Sequence, residues 1–468
     1  MKSFAIGLLR YFPLAHVVLM CWSFIMDKSL LDELYEKHRG SCYERELRFS
    51  TLVHLIRDAL MSPEQGARRT FERARQSGQL PVSLSAAYGK LARLPVELSN
   101  AFLRHGAAQL SKLMPHDSWT PPQSLAKFEL YCADGKVVKH AEHRLKPTQP
   151  VRGKLLAAKL LVVQNIRSGL AIDMNACEEA ERNEVKLMDD LMKQIQTTRP
   201  ILWVEDRQYS DLKMPRLFMS NGGHFLIRFN RTMTFTPDPQ RPACKGTDAE
   251  GRAYEEKWGW VGRRSRSDRL YVRLITLHRP EINDGDIILM TDLIDPAAYP
   301  TVDLLKCYKR RWGIEQMFQQ VTEVFDLKHL IGNTPKAAIF QSAFCLQLYN
   351  IIQVIRGYVA HDGDLEVDKV SGEKLFDDVN RQLIGWAVAD VAKETTSLLT
   401  PPPTAGELRK QLKDLLHWNS IWLKSKPRSR PSVGGRTIRV KSGRSSVYKL
   451  LQAAKEEKKR LKQKYARC

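Results

Sequence analysis

Tyr308, Arg311 and Glu315 stand three and four positions apart in the stretch YKRRWGIEQMF. At 100° per residue they share one helical face within an arc of about 60°. A carboxylate between a guanidinium and a phenol can be a reactive group or one half of a surface ion pair. For an isolated i,i+4 pattern the ion pair is the commoner outcome. Two aspartates close short strand-like runs elsewhere: Asp134 in KFELYCADG and Asp206 in PILWVED. Carboxylate oxygens gathered from such places suit hard divalent cations, and neither the histidines nor the eight scattered cysteines show ligand spacing. Other acids compete for these roles. Strand alternation turns Glu205 away from Asp206, Asp173 ends no strand, and Asp189 and Asp190 read as a solvated helix face. Asp292, closing the strand-like run DIILMTDL, is the best rival.

The elements that must carry these residues are legible in the hydrophobic spacing. Residues 27 to about 115 repeat apolar positions every three or four residues between Ser, Pro and Gly breakers, which predicts short helices. Within them GARRTFERARQSG places Arg68, Arg69, Arg73 and Arg75 on one helix, a solvated face or a DNA-contacting one. After Pro121 and Pro122 the pattern predicts strands at 127–135, 153–165 and 169–176, the last two as an antiparallel hairpin. A helix over 178–197, a strand over 200–206, a helix over 211–220 and a strand over 224–229 follow. Further strands fill 230–300, then come helices from Val302 to about Val324 and over 337–360. The first 25 residues are apolar but broken by Pro13 and His16. They read as an added buried helix or a misplaced start, and no membrane protein is expected.

Three strands, a helix, a strand, a helix, a strand and a late helix with an acid make the parts list of a ribonuclease-H-like core. The chain resembles insertion-sequence DDE transposases with the signature Y-x-x-R-x-x-x-E-x-x-x-x-x-x-K. Tyr308, Arg311 and Glu315 match its first three places, while YCADGK and LWVEDRQYSD resemble the segments bearing its two aspartates. Thr322 stands where the signature has Lys, and Lys328 falls about 220° round the helix from Glu315.

The resemblance implies an α/β fold: a ribonuclease-H-like mixed sheet with a β-rich insertion at about 230–300, preceded by a small all-α region. It implies an apolar extension over 1–26, a helical DNA-binding region over 27–120, a catalytic domain over 121–395, a linker with a short helix over 396–423 and a basic arm over 424–468. The implied activity is cut-and-paste transposition of DNA, with binding of terminal inverted repeats, cleavage and strand transfer. Asp134, Asp206 and Glu315 would be the catalytic residues and hold Mg²⁺, with Mn²⁺ able to substitute. Two such ions activate the attacking oxygen and stabilise the leaving one. Arg311 is suited to fork onto a phosphate, and Tyr308 to donate beside it. Transposon ends and target DNA, and a second copy in a synaptic homodimer, are the implied partners, in a bacterial cytoplasm at the nucleoid. A nuclease that does not transpose, or a decayed copy kept for DNA binding, remain open as alternatives. In the insertion, Trp258 and Trp260 read as core residues of a β-unit rather than as a base-stacking pair.

Composition agrees with a polyanionic partner. The 468 residues are 43% hydrophobic, enough for a sizeable core, and carry a net charge of +22. That charge is uneven. Residues 424–468 hold 16 Lys and Arg against Glu456 and Glu457, so +14 of the +22 lies in a Pro/Ser/Gly-rich arm suited to salt-sensitive phosphate contacts.

Overall fold

The computed structural model describes residues 11–42, 44–61, 66–141, 146–151, 155–195, 197–262, 269–279, 285–324, 331–332, 334–388, 404–425 and 446–465. Six helices come first: α1 (Pro13–Ile25), α2 (Lys28–His38), α3 (Phe49–Met61), α4 (Ala67–Gln76), α5 (Leu84–Leu91) and α6 (Val96–Ser111). The apolar start is a buried helix, as one of the two readings expected. Trp22 of α1 is 1% exposed, and its ring lies 5.6 Å from that of Phe344.

The next elements are β1 (Glu129–Ala141), β2 (Leu155–Asn165), β3 (Ala171–Cys177), α7 (Glu184–Met192), β4 (Ile201–Glu205), α8 (Lys213–Ser220) and β5 (His224–Arg228). β1, β2 and β3 pair antiparallel, and β4 and β5 add in parallel, giving the order β3-β2-β1-β4-β5 of a ribonuclease-H-like core. Strands β6 (Phe235–Pro237), β7 (Cys244–Thr247), β8 (Ala253–Val261), β9 (Leu270–Leu277) and β10 (Ile287–Thr291) follow. The insertion does not form a sheet of its own. β10 pairs with β5, and β9, β8 and β6 extend the same sheet to ten strands, with β7 on β8.

Five helices complete the described chain: α9 (Thr301–Arg310), α10 (Trp312–Gln319), α11 (Pro335–Asp362), α12 (Gly372–Val388) and α13 (Ala405–Leu415). A final helix, α14, spans Val447–Tyr465. A π-helical turn over Gln320–Val324 continues α10. The 28-residue α11 is apolar all round because it is the core helix, a pattern expected when every face is covered. By length and composition it could cross a membrane, yet its whole apolar window lies inside the protein.

Alternation along the strands gives the sheet two apolar faces. Leu130, Cys132, Leu202 and Val204 face α11 and the N-terminal helices in one continuous core. Tyr131, Ala133, Trp203 and Phe225 face α7 and α8 in a second core. The helices before residue 120 thus share a core with the sheet.

Candidate active site

The site begins where two parallel strands part. β1 and β4 are paired only from Glu129 to Tyr131 against Ile201 to Trp203. Beyond that point the Ala133 N–H has no strand partner on this side, and it donates instead to Glu205 Oε1 at 2.9 Å. A buried amide must be satisfied somewhere, and a side-chain carboxylate in the splay does it. Glu205 is fully buried, and its Oε2 has no hydrogen-bond partner. Burial raises its carboxyl well above the usual range. The Ala133 N–H and Arg311 oppose the rise, while Asp134 and Asp206 add to it.

The sequence pattern predicted that the first strand would end at Asp134-Gly135. It runs on to Ala141, because β2 pairs with it as far as Ala141 opposite Leu155. Gly135 makes no turn. A Cβ there would stand 2.1 Å from the Glu184 carboxyl carbon, so glycine clears room for a side chain from the first turn of α7. Asp134, one residue earlier, points to the opposite face, toward α10. Its Oδ1 accepts from the Gly135 N–H at 2.8 Å. Burial pushes its carboxyl up to about 6; the Gly135 N–H and Arg311 lower it, and Glu184 and Glu315 raise it.

Asp206 follows β4 directly, heading a 3-10 turn over Arg207–Tyr209. Its Oδ1 is shut off from solvent without a hydrogen-bond partner. Opposite, α9 and α10 present the helical stripe. The Arg311 Nη2 donates to Glu315 Oε1 at 2.8 Å, and the guanidinium lies 5.8 Å from the centroid of the Tyr308 ring. Burial works against the Arg311 charge, but Tyr308, Glu315 and Asp206 outweigh it and hold the guanidinium protonated above its usual range. Burial also raises the Tyr308 phenol to about 12, with Asp206 adding and Arg311 opposing. A cavity of about 320 Å³ opens beside Arg228, Tyr308, Arg311 and Trp312.

The insertion sets the position of this helix. Arg273 of β9, wholly buried, donates to Glu256 of β8 at 2.8 Å, to the Tyr299 carbonyl at 2.8 Å and to Thr301 Oγ1 at 2.6 Å. Thr301 is the first residue of α9, so the added strands grip the helix that carries Tyr308, Arg311 and Glu315. Trp258 belongs to the same packing. It is 2% exposed, and its indole N–H donates to the Ile294 carbonyl at 2.8 Å.

The structure therefore gathers all five sequence-derived residues into one electrostatic neighbourhood, with Arg311 as the cation that Asp134, Asp206 and Glu315 each feel. Asp292 lies elsewhere. It accepts from the Phe225 N–H at 2.9 Å and contacts His224 Nδ1 at 2.7 Å, at the start of β5, whereas Asp206 follows the end of β4. Three neighbours were not singled out from sequence. Glu205 was set aside as facing away, yet it sits in the strand splay. Glu184, an ordinary helix-start acid by pattern, contacts Lys159 Nζ at 2.8 Å and accepts from Gln208 Nε2 at 2.7 Å. Lys136 lies two residues past Asp134 on the same strand face, its ammonium 5.7 Å from the centroid of the Phe318 ring. Thr322 turns its hydroxyl back to the Phe318 carbonyl at 2.7 Å. Lys328 lies outside the described residues.

Hard oxygen donors, two of them buried and unpartnered, and a carboxyl raised to about 6 by burial and other acids form a donor set suited to a divalent cation. Among the described residues no three His, Cys, Asp or Glu side chains already converge on one point. Glu315 is held by Arg311.

Comparison with known proteins places a family on the same region. Residues 126–351 match the model of the transposase DDE domain family. No curated protein matches the chain. Among solved structures, a cryo-EM structure of the piggyBac transposase synaptic complex with hairpin DNA aligns with a TM-score of 0.43 at 11% identity, over 88% of this chain and 86% of that one.

Proposed function

We propose, from the match of residues 126–351 to the transposase DDE domain family, that the protein binds the terminal inverted repeats of a DNA transposon and carries out divalent-metal-dependent cleavage and strand transfer. The observation that carries this reading is the gathering of Asp134, Asp206 and Glu315 around Arg311, with the Asp206 Oδ1 buried and unsatisfied. Isolated buried carboxylates are costly, and such groups are retained where a cation or a reaction uses them.

Asp134, Asp206 and Glu315 would hold Mg²⁺, or Mn²⁺ in its place. When bound, a metal pair supplies activation of the attacking water or 3′-OH and stabilises the leaving oxygen of an in-line displacement. The protein's own groups do the positioning. Arg311 presents a guanidinium whose Nε is unpaired, able to fork onto a phosphate at the cavity mouth. Tyr308, kept protonated by burial, offers a hydroxyl donor beside it. Glu205 keeps β1 and β4 apart at the point where the two aspartates emerge. A homodimer handling two ends together is part of the proposal.

The test is excision. A marker flanked by the inverted repeats that border the gene should be released as a discrete fragment by the protein with Mg²⁺ or Mn²⁺, and then joined to target DNA. Nicking at random positions without joining would leave a nuclease that does not transpose.

A further inference from the structure

The helix that carries Glu315 has a second face. Gln316 lies about 100° round the helix from Glu315 and opens on a cleft of about 630 Å³ that adjoins the cavity beside Arg311 and shares Lys306 and Trp312 with it. Gln353 and Arg356 of α11 form the facing wall, and Trp119, Asp368 and Lys424 stand at the rim. None of the three candidate catalytic carboxylates lines it.

Its charges do not balance. Lys309 pairs with Glu250 at 2.8 Å, and Arg310 pairs with Asp368 while its guanidinium lies 5.3 Å from the Trp119 ring centroid. Those two acids are thereby engaged. Lys306, Arg356 and Lys424 border the same space, and no carboxylate among the described residues forms an ion pair with them. Arg356 is 8% exposed and donates only to neutral groups: Gln353 Oε1 at 2.7 Å, and the Val367 and Val370 carbonyls at 2.9 Å. Its Nε has no partner, nor have the buried Gln353 Nε2 and Gln320 Oε1. Asp368 acts on Arg356 without an ion pair and is already engaged by Arg310; a buried guanidinium so weakly compensated is expensive, and an anion in the cleft would relieve it. Burial, Arg356 and Arg310 depress the Lys424 ammonium, with Asp368 opposing them.

Lys424 at the rim also opens, in sequence, the most basic part of the chain. The Lys424 N–H is tied to the Lys369 carbonyl at 2.8 Å, and from Lys424 onward run the 16 Lys and Arg of the last 45 residues. We propose that this cleft is a second phosphate-binding site, which takes the backbone of a DNA strand running behind the helix that bears Glu315.

The proposal rests on the DNA-binding reading above, and its test separates the two. Binding of full-length protein to a terminal-repeat duplex is measured by fluorescence anisotropy over a range of salt. The Lys306→Gln/Lys424→Gln double variant should lower the steepness of log K against log salt by roughly 2, about 0.9 per lost phosphate contact. A Lys410→Gln/Lys413→Gln control, on the exposed face of α13, should bind with the wild-type salt dependence. A double variant that behaves as this control does would overturn the proposal. So would a cleft that serves free phosphate, seen as pyrophosphate raising the melting temperature of the wild type but not of the double variant, with an unaltered DNA salt slope. Wild-type protein that binds no duplex at any salt would instead overturn the DNA reading itself.

Discussion

A carboxyl group buried beside other acids binds its proton more tightly in the folded chain than in the unfolded one. Asp134 is raised to about 6 from an ordinary value near 3.8, with burial the main cause. The folded state therefore holds more protons between about pH 4 and 6, and stability falls as pH rises through that window. Above it the ionised group opposes folding by on the order of 3 kcal/mol. Asp134→Asn should accordingly raise the melting temperature by a few degrees at pH 8 in chelator, a gain that vanishes near pH 4. A destabilised variant at pH 8 would show that the group is not held in an unfavourable environment. The candidate residues were legible because each carried a local pattern: strand runs before Asp134 and Asp206, and a one-faced helical spacing for Tyr308, Arg311 and Glu315. Glu205 and Glu184 carry no such signal. One is defined by where two strands separate, the other by the space over Gly135, and both are long-range facts.

At the scale of elements, the periodicities located β1 to β5, the helices between them and α11, but not α12 or the separate strands β6 to β8, and the errors have physical causes. Gly135 read as the end of a strand because glycine usually punctuates, whereas here it makes way for a neighbouring side chain. The insertion read as a separate set of strands because alternation reveals a strand but not its partner. The all-apolar helix α11 is held in place by buried amides. Asn350 both donates to the Ala171 carbonyl and accepts from its N–H, each at 2.8 Å, and the Gln347 Nε2 donates to the Phe102 and Leu103 carbonyls of α6. Gly106 of α6 lets that glutamine approach, since a Cβ there would fall 1.9 Å from its Nε2. Gly106→Val should displace a side chain that has no solvent to move into. The expected cost is about 2–4 kcal/mol, through overpacking and two lost hydrogen bonds. It is read as a lower denaturant midpoint, and an unchanged midpoint would mean that α6 and α11 are not so tightly joined.

At the scale of the whole molecule, one apolar core runs from α1 to α14, and one ten-stranded sheet carries both the aspartates and the strands that grip the glutamate helix. Of the net charge of +22, +14 lies in the last 45 residues, while the candidate site is built on carboxylates. That division suits a protein whose arm and clefts hold phosphates while buried carboxylates act on one of them. If Asp134, Asp206 and Glu315 work as a single centre, each is indispensable for cutting. The measurement is nicking of supercoiled plasmid bearing the terminal repeats, with Mg²⁺, by wild type, Asp134→Asn, Asp206→Asn and Glu315→Gln, each shown beforehand to bind the repeats. Wild type should nick at the repeat ends while all three variants bind and do not cut; cutting by any one of them at the wild-type rate would contradict the assignment.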